Sequence, residues 1–89
     1  MGKKQSVIQG VVLDSAGRPM AGARVYFIEG PVPLPEVAGL TDGRGGFTLA
    51  APAAGSYRIG CSADGYKTAT VGVEVKPGSD ATVEVRLTG

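Results

Sequence analysis

The chain contains no histidine, no tryptophan and no asparagine. Without His, imidazole general-base chemistry and His-ligated metal sites are excluded. Without Asn there is no acceptor amide for N-linked glycosylation. The single cysteine, Cys61, cannot close an internal disulfide and so points to no redox compartment. It lies in an alternating apolar run and reads as a small buried hydrophobe, since a reactive thiol needs a cation or base beside it. Helical periodicity is missing too: no window of about eleven residues has apolar positions at i, i+3, i+4 and i+7 free of Gly or Pro. Met1-Gly2-Lys3-Lys4 leads into no apolar segment long enough for a signal peptide or membrane span. With strand pattern already under way at position 7, that start favours a domain taken from a longer chain. Charge of one sign is also lacking, with 9 Lys and Arg against 8 Asp and Glu, interleaved, for a net charge of +1. No basic stripe offers itself to nucleic acid and no acidic tail suggests a solvating segment.

What the chain does have is punctuation. Its 15 Gly and 6 Pro gather in clusters that separate short runs rich in Val, Ile, Thr, Tyr and Phe. That pattern marks strands. The 89 residues suffice for one domain, expected over 6–89, with 1–5 a disordered start. Seven strands are predicted, at about 6–13, 23–29, 37–40, 47–50, 56–62, 66–76 and 81–87. The last is the cleanest, with Val83, Val85 and Leu87 set against Thr82, Glu84 and Arg86. Residues 14–19 and 77–80 read as turns, and 41–46 as a tight hairpin connection with Gly where φ must be positive. Residues 30–35 hold three prolines and read as an extended loop. Seven short alternating strands with regular turns predict an all-β, seven-stranded antiparallel two-sheet sandwich or a barrel.

Ile8-x-Gly10-x-Val12-x-Asp14, followed by Gly17-x-Pro19-x-x-Gly22-Ala23-x-Val25, resembles the opening of the carboxypeptidase regulatory-like domains, which are transthyretin-like (prealbumin-type) β-sandwiches. Thr41-Asp42 with Gly45 or Gly46 and Phe47-x-Leu49 continue the likeness. So do Pro52 with Gly55-x-Tyr57, and Ala63-x-Gly65-Tyr66. The resemblance runs from about 7 to 87. It implies a transthyretin-like or immunoglobulin-like Greek key and a non-catalytic accessory module of a larger surface, secreted or bacterial secretion-machine protein. It also implies an extracellular, cell-surface or periplasmic setting, with the cytoplasm left open. Adhesin relatives carry a Lys–Asn isopeptide bond, which this chain lacks the Asn to form; a Lys–Asp version with Asp64 or Asp80 is the remaining form. The motif residues have structural duties, with Phe47, Tyr57 and Tyr66 expected to supply the core's aromatic volume.

Candidate chemistry is thin. Asp14, Asp42, Asp64 and Asp80 all sit at turns without an Asp-x-Asp spacing, so turn capping accounts for them better than Ca²⁺ does. A Ser–Lys dyad would need Lys67 or Lys76 buried beside Ser62 or Ser79. Gly43-x-Gly45-Gly46 precedes a strand, not a helix, and so lacks the helix N-terminus of a phosphate loop. No catalytic residue, cofactor or metal is therefore expected. Contact with a protein partner or an adjacent domain of the parent chain is expected, without nucleic acid or membrane insertion. Two surfaces stand out: the apolar side chains expected on outer faces, Val7, Val11, Leu13, Tyr26 and Ile28, and the preordered loop of Pro31, Pro33 and Pro35. A carbohydrate-binding module is the alternative, with weak glycan binding resting on Tyr26, because the other four aromatics are expected in the core.

Overall fold

Alternation along each run places one row of side chains inward and the other outward. The computed structural model describes residues 6–34 and 38–89, so the expected disordered start at 1–5 and part of the third predicted strand fall outside it. Among the described residues the strands are β1 (Ser6–Leu13), β2 (Arg24–Glu29), β3 (Gly39–Leu40), β4 (Gly46–Ala51), β5 (Gly55–Ser62), β6 (Ala69–Val75) and β7 (Ala81–Arg86). They form a three-stranded sheet in the order β4-β1-β7 and a four-stranded sheet in the order β3-β2-β5-β6. The expected all-β sandwich is the fold. Its core lies between the sheets, where Ile8, Val12, Val25, Ile59, Cys61 and Leu87 are fully buried.

One pairing departs from the antiparallel expectation, because β1 and β7 run parallel. The reason is topological. Strands β4 to β7 follow one another through short turns, each reversing the chain, so β7 runs opposite to β4. Strand β1 is antiparallel to β4 and must then be parallel to β7.

The loops are fastened by polar side chains from the turn residues themselves. Asp14 Oδ1 accepts the N–H groups of Ala16 and Arg18, each at 2.9 Å. Asp42 Oδ1 accepts those of Arg44 and Gly46, also at 2.9 Å. The two loops repeat one Asp-x-x-Gly-x arrangement, with Gly17 and Gly45 at φ +84° and +76°. At Gly45 a Cβ would fall 2.6 Å from the Val12 carbonyl oxygen, so only glycine fits there. The 41–46 turn is not a hairpin, since β3 and β4 lie in different sheets. Turn residues specify a reversal of direction; the sheet that the next strand joins depends on which face needs covering. Thr41 seals this end, its buried hydroxyl accepting the Ala23 N–H at 2.9 Å and donating to the Met20 carbonyl at 2.6 Å.

The sixth strand begins at Ala69, later than predicted. The Tyr66 N–H donates to the Ala63 carbonyl (3.1 Å), which closes a turn, and the Lys67 N–H donates to that of Thr88 (2.8 Å), so neither group is paired within the sheet of β5 and β6. Tyr66 is consequently 37% exposed and is not a core residue. Phe47 and Tyr57 are buried, and Phe27 packs half-buried with its ring 5.4 Å from that of Tyr57. The Tyr57 hydroxyl donates to the Ala53 carbonyl and accepts the Ala53 N–H, tying the 52–54 turn to the core in the manner of a tyrosine corner.

Candidate functional site

Strand β1 is central in its sheet, and that decides the fate of its outer face. Val7, Val11 and Leu13 point away from the core, yet each is half-buried. The register sets Ala50 beside Val7 and Gly46 beside Val11 on β4, with Glu84 beside Val11 and Arg86 beside Leu13 on β7. Glu84 and Arg86 pair at 3.3 Å, and the aliphatic stems of such side chains shield apolar neighbours. The open apolar patch expected here is thus reduced to a shielded stripe.

Open apolar surface lies instead on the other sheet, along β2, β3 and their connection. Ile28 is 48% exposed, Val32 37% and Leu40 67%. Leu40 stands opposite Arg24 on the outer face, in the next outward position from Tyr26. The Tyr26 ring lies over Gly60, where a Cβ would fall 2.4 Å from Cε1. Glycine at 60 is what lets the ring settle on the sheet. The β2–β5 register slips between Phe27 and Glu29, which turns the chain toward the proline loop. Pro31 packs on Gly55, a residue at φ +143° with no room for a side chain. Leu34 packs against the core, and Gly30 gives way to both Leu34 and the Tyr57 ring. Around an open depression of about 760 Å³ stand Tyr26, Ile28, Pro31, Val32, Pro33 and Leu34. Pro35 lies outside the described residues.

The structure therefore brings Tyr26, Ile28, Pro31 and Pro33 to one surface and leaves Val7, Val11 and Leu13 on the opposite sheet. Leu40 was not named for this surface in the sequence reading, and Val32 and Leu34 entered it only as part of the proline loop. Leu40 carried a signal, an apolar residue just before a turn, but its outward direction depends on pairing with β2.

The turn aspartates have local partners. Asp64 lies 3.7 Å from Arg24 on the surface, and Asp80 accepts the Val7 N–H at 3.0 Å. The backbone N–H groups of Gly46 and Arg44 hold the Asp42 carboxyl below its ordinary range. Burial pushes the Cys61 thiol up. Lys67 and Lys76 are exposed, so neither has the desolvation that a Ser–Lys dyad requires.

Known structures share this fold. The Bacillus anthracis TIE protein superposes with a TM-score of 0.74 at 19% identity, over 96% of this chain and 16% of that chain. A streptococcal ancillary pilin gives 0.71 at 16% identity, over 94% and 32%. Hydroxyquinol 1,2-dioxygenase from Pseudomonas putida DLL-E4 gives 0.72 at 13% identity, over 100% and 58%. At such identities the likeness is one of fold alone. The chain spans only 16 to 58% of the length of these three neighbours. No curated protein matches the sequence. A family model does match it across residues 7–88, and on that the chain belongs to the carboxypeptidase regulatory-like domain family.

Proposed function

We propose that this chain is a non-catalytic docking module of a larger surface or secreted protein. The observation that carries the reading is the exposure of Ile28 and Val32 at the proline-loop depression, with exposed Leu40 farther along the same sheet face opposite Arg24. Water-exposed apolar residues grouped in this way mark contact surfaces. The partner that suits them is a protein presenting apolar side chains, received by a loop whose prolines leave little entropy to lose. Family membership and the likeness to an ancillary pilin support an accessory role at the cell surface. The many local duties of the Asp residues support a role without catalysis.

Glycan binding is the second reading, and Tyr26 favours it. Its half-buried ring, set over Gly60 at the depression, would be the stacking platform.

The test uses the chain and an Ile28→Lys/Leu40→Glu double variant as paired baits in native extract, with folding checked by circular dichroism. Both substituted positions are exposed, so the variant is expected to fold and to lose a protein that the unaltered bait captures. Equal capture by both baits would reject this docking surface in favour of another face, and capture by neither would leave a passive spacer. Binding on a glycan array that is lost in Tyr26→Ala would favour the second reading.

A further inference from the structure

We propose that the β6 edge pairs, antiparallel, with the β6 edge of a second copy of this chain. This inference stands apart from the β2–β3 surface. Strand β6 is seven residues long, Ala69-Thr70-Val71-Gly72-Val73-Glu74-Val75, and forms one edge of the four-stranded sheet. Natural edges are blunted by shortness, Pro, Lys, bulges or inward charges. Strand β3 is blunted by its two-residue length, and β7 carries Glu84 and Arg86. β6 has no such protection: its single charge is Glu74, on the outward row, and its register with β5 is unbroken from Gly55–Val75 to Cys61–Ala69.

Two further observations point to an occupant. Ala69, Val71 and Val73 face inward and pack on the core, yet all three remain half-buried, as do Ala81 and Val83 across the sandwich on β7. An apolar seam is therefore left open along this flank. Gly72 is the other clue. A Cβ added there would meet only the Tyr57 carbonyl oxygen, at 3.9 Å, and its φ is not positive. Gly10 and Gly60 make room for rings; nothing among the described residues needs a glycine at 72. A glycine that weakens a strand interior marks a place where another backbone or ligand approaches.

The strand is self-complementary. A two-fold axis through Gly72, its middle residue, sets all seven residues against their copies. Val71 then faces Val73 and Ala69 faces Val75, which continues the inward apolar row and closes the seam. Thr70 faces Glu74, so no like charges stand opposite one another. The two glycines meet on the axis, at the floor of a depression lined by Ser56, Arg58 and Glu74. Each copy's Arg58, beside Gly72 in the register, then looks across bare glycine toward the other copy's Glu74.

Sedimentation equilibrium over a concentration series tests this directly. The chain is expected to rise from a one-protomer toward a two-protomer mass, while Gly72→Glu, which has room in the single copy but sets two carboxylates on the axis, keeps its thermal midpoint and stays at one. A second measurement does not depend on that variant. Residues opposite each other in an antiparallel pair have Cα atoms about 4.5–5.5 Å apart, within disulfide range. Under oxidised glutathione, Gly72→Cys is expected to form a covalent dimer at least tenfold faster than Thr82→Cys on the β7 edge. Buried Cys61 is a silent background thiol in both. A one-protomer mass at millimolar concentration, self-association that survives Gly72→Glu, or equal cross-linking at 72 and 82 would each overturn the proposal.

Discussion

Along the flank formed by β3 and β4, Phe47, Leu49 and Ala51 are buried although β4 is an edge strand; along the flank formed by β6 and β7, Val75 and Val85 are buried but the inward-facing Ala69, Val71, Val73, Ala81 and Val83 remain half-buried. Strand length does not separate the two, since β4 and β7 each have six residues. The connections do. On the β3–β4 side, residues 19–23 are drawn over the core by the Thr41 hydroxyl and by the Met20 N–H bond to Val12. Met20 and Leu34 pack on the core as well, and Gly10 makes room for the Phe47 ring. On the β6–β7 side the two strands are joined, among the described residues, by a turn closed by the Ser79 N–H to Lys76 carbonyl bond, with Gly78 at φ +72°. A tight turn reverses the chain and covers nothing. A small sandwich thus seals a flank with its loops, and a flank joined by a minimal turn stays open.

The sharpest way to break this comparison is truncation on each side. Phe47→Ala removes a buried ring and is expected to cost about 3–5 kcal/mol in urea unfolding. Val71→Ala, on the half-covered flank, is expected to cost about 1 kcal/mol, since only part of its side chain leaves water on folding. Similar losses at both positions would mean that the flanks are equally sealed.

Two glycines sharpen it further with effects of opposite sign. Gly10→Ala would drive a methyl to 2.4 Å from the Phe47 ring and 2.7 Å from the Val83 carbonyl oxygen. It should destabilise by about 1–3 kcal/mol, as overpacking does. Gly72→Ala meets open space and should be neutral or stabilising by up to about 1 kcal/mol, because glycine has more backbone entropy to lose. Thermal unfolding of the two variants side by side reads the difference, and a loss at Gly72 would show that the open flank has a packing requirement of its own.

The smallest effect is electrostatic and belongs to the sealed side. Asp42 is held below its ordinary value of 3.8 by the Gly46 and Arg44 N–H groups. Its contribution is therefore present above that value and is lost as pH falls through the depressed folded value. Asp42→Ala should flatten the stability profile in that acid window, seen as a smaller drop in thermal midpoint on acidification. An unchanged acid slope would mean that other carboxylates govern it.

Much of the fold was legible because its causes are local. The bounds of β1 matched the alternation of Ile8 and Val12 with polar or outward neighbours, and Gly17, Gly45 and Gly78 take the positive φ that turn chemistry demanded. The misreadings share one character. Tyr66 was expected inside as one of the motif aromatics, but the Lys67 N–H bond to Thr88 holds that stretch out of the strand. The 41–46 turn was expected to close a hairpin, and it crosses between sheets. Val7, Val11 and Leu13 were expected on an open face, and the neighbours given by β4 and β7 shield them. Each of these depends on which strands lie side by side, and no run of residues announces that.

The sequence by itself determined that this is an all-β domain, where most of its turns fall and which row of most strands is inward, because backbone conformation and alternation respond to residues a few positions apart. Tertiary structure alone decided that β1 and β7 run parallel, that Tyr26 lies on Gly60, and that one flank is sealed while the other is open. Those features arise where residues distant in the chain meet, and contact between them is set by how two sheets and their loops share one small core.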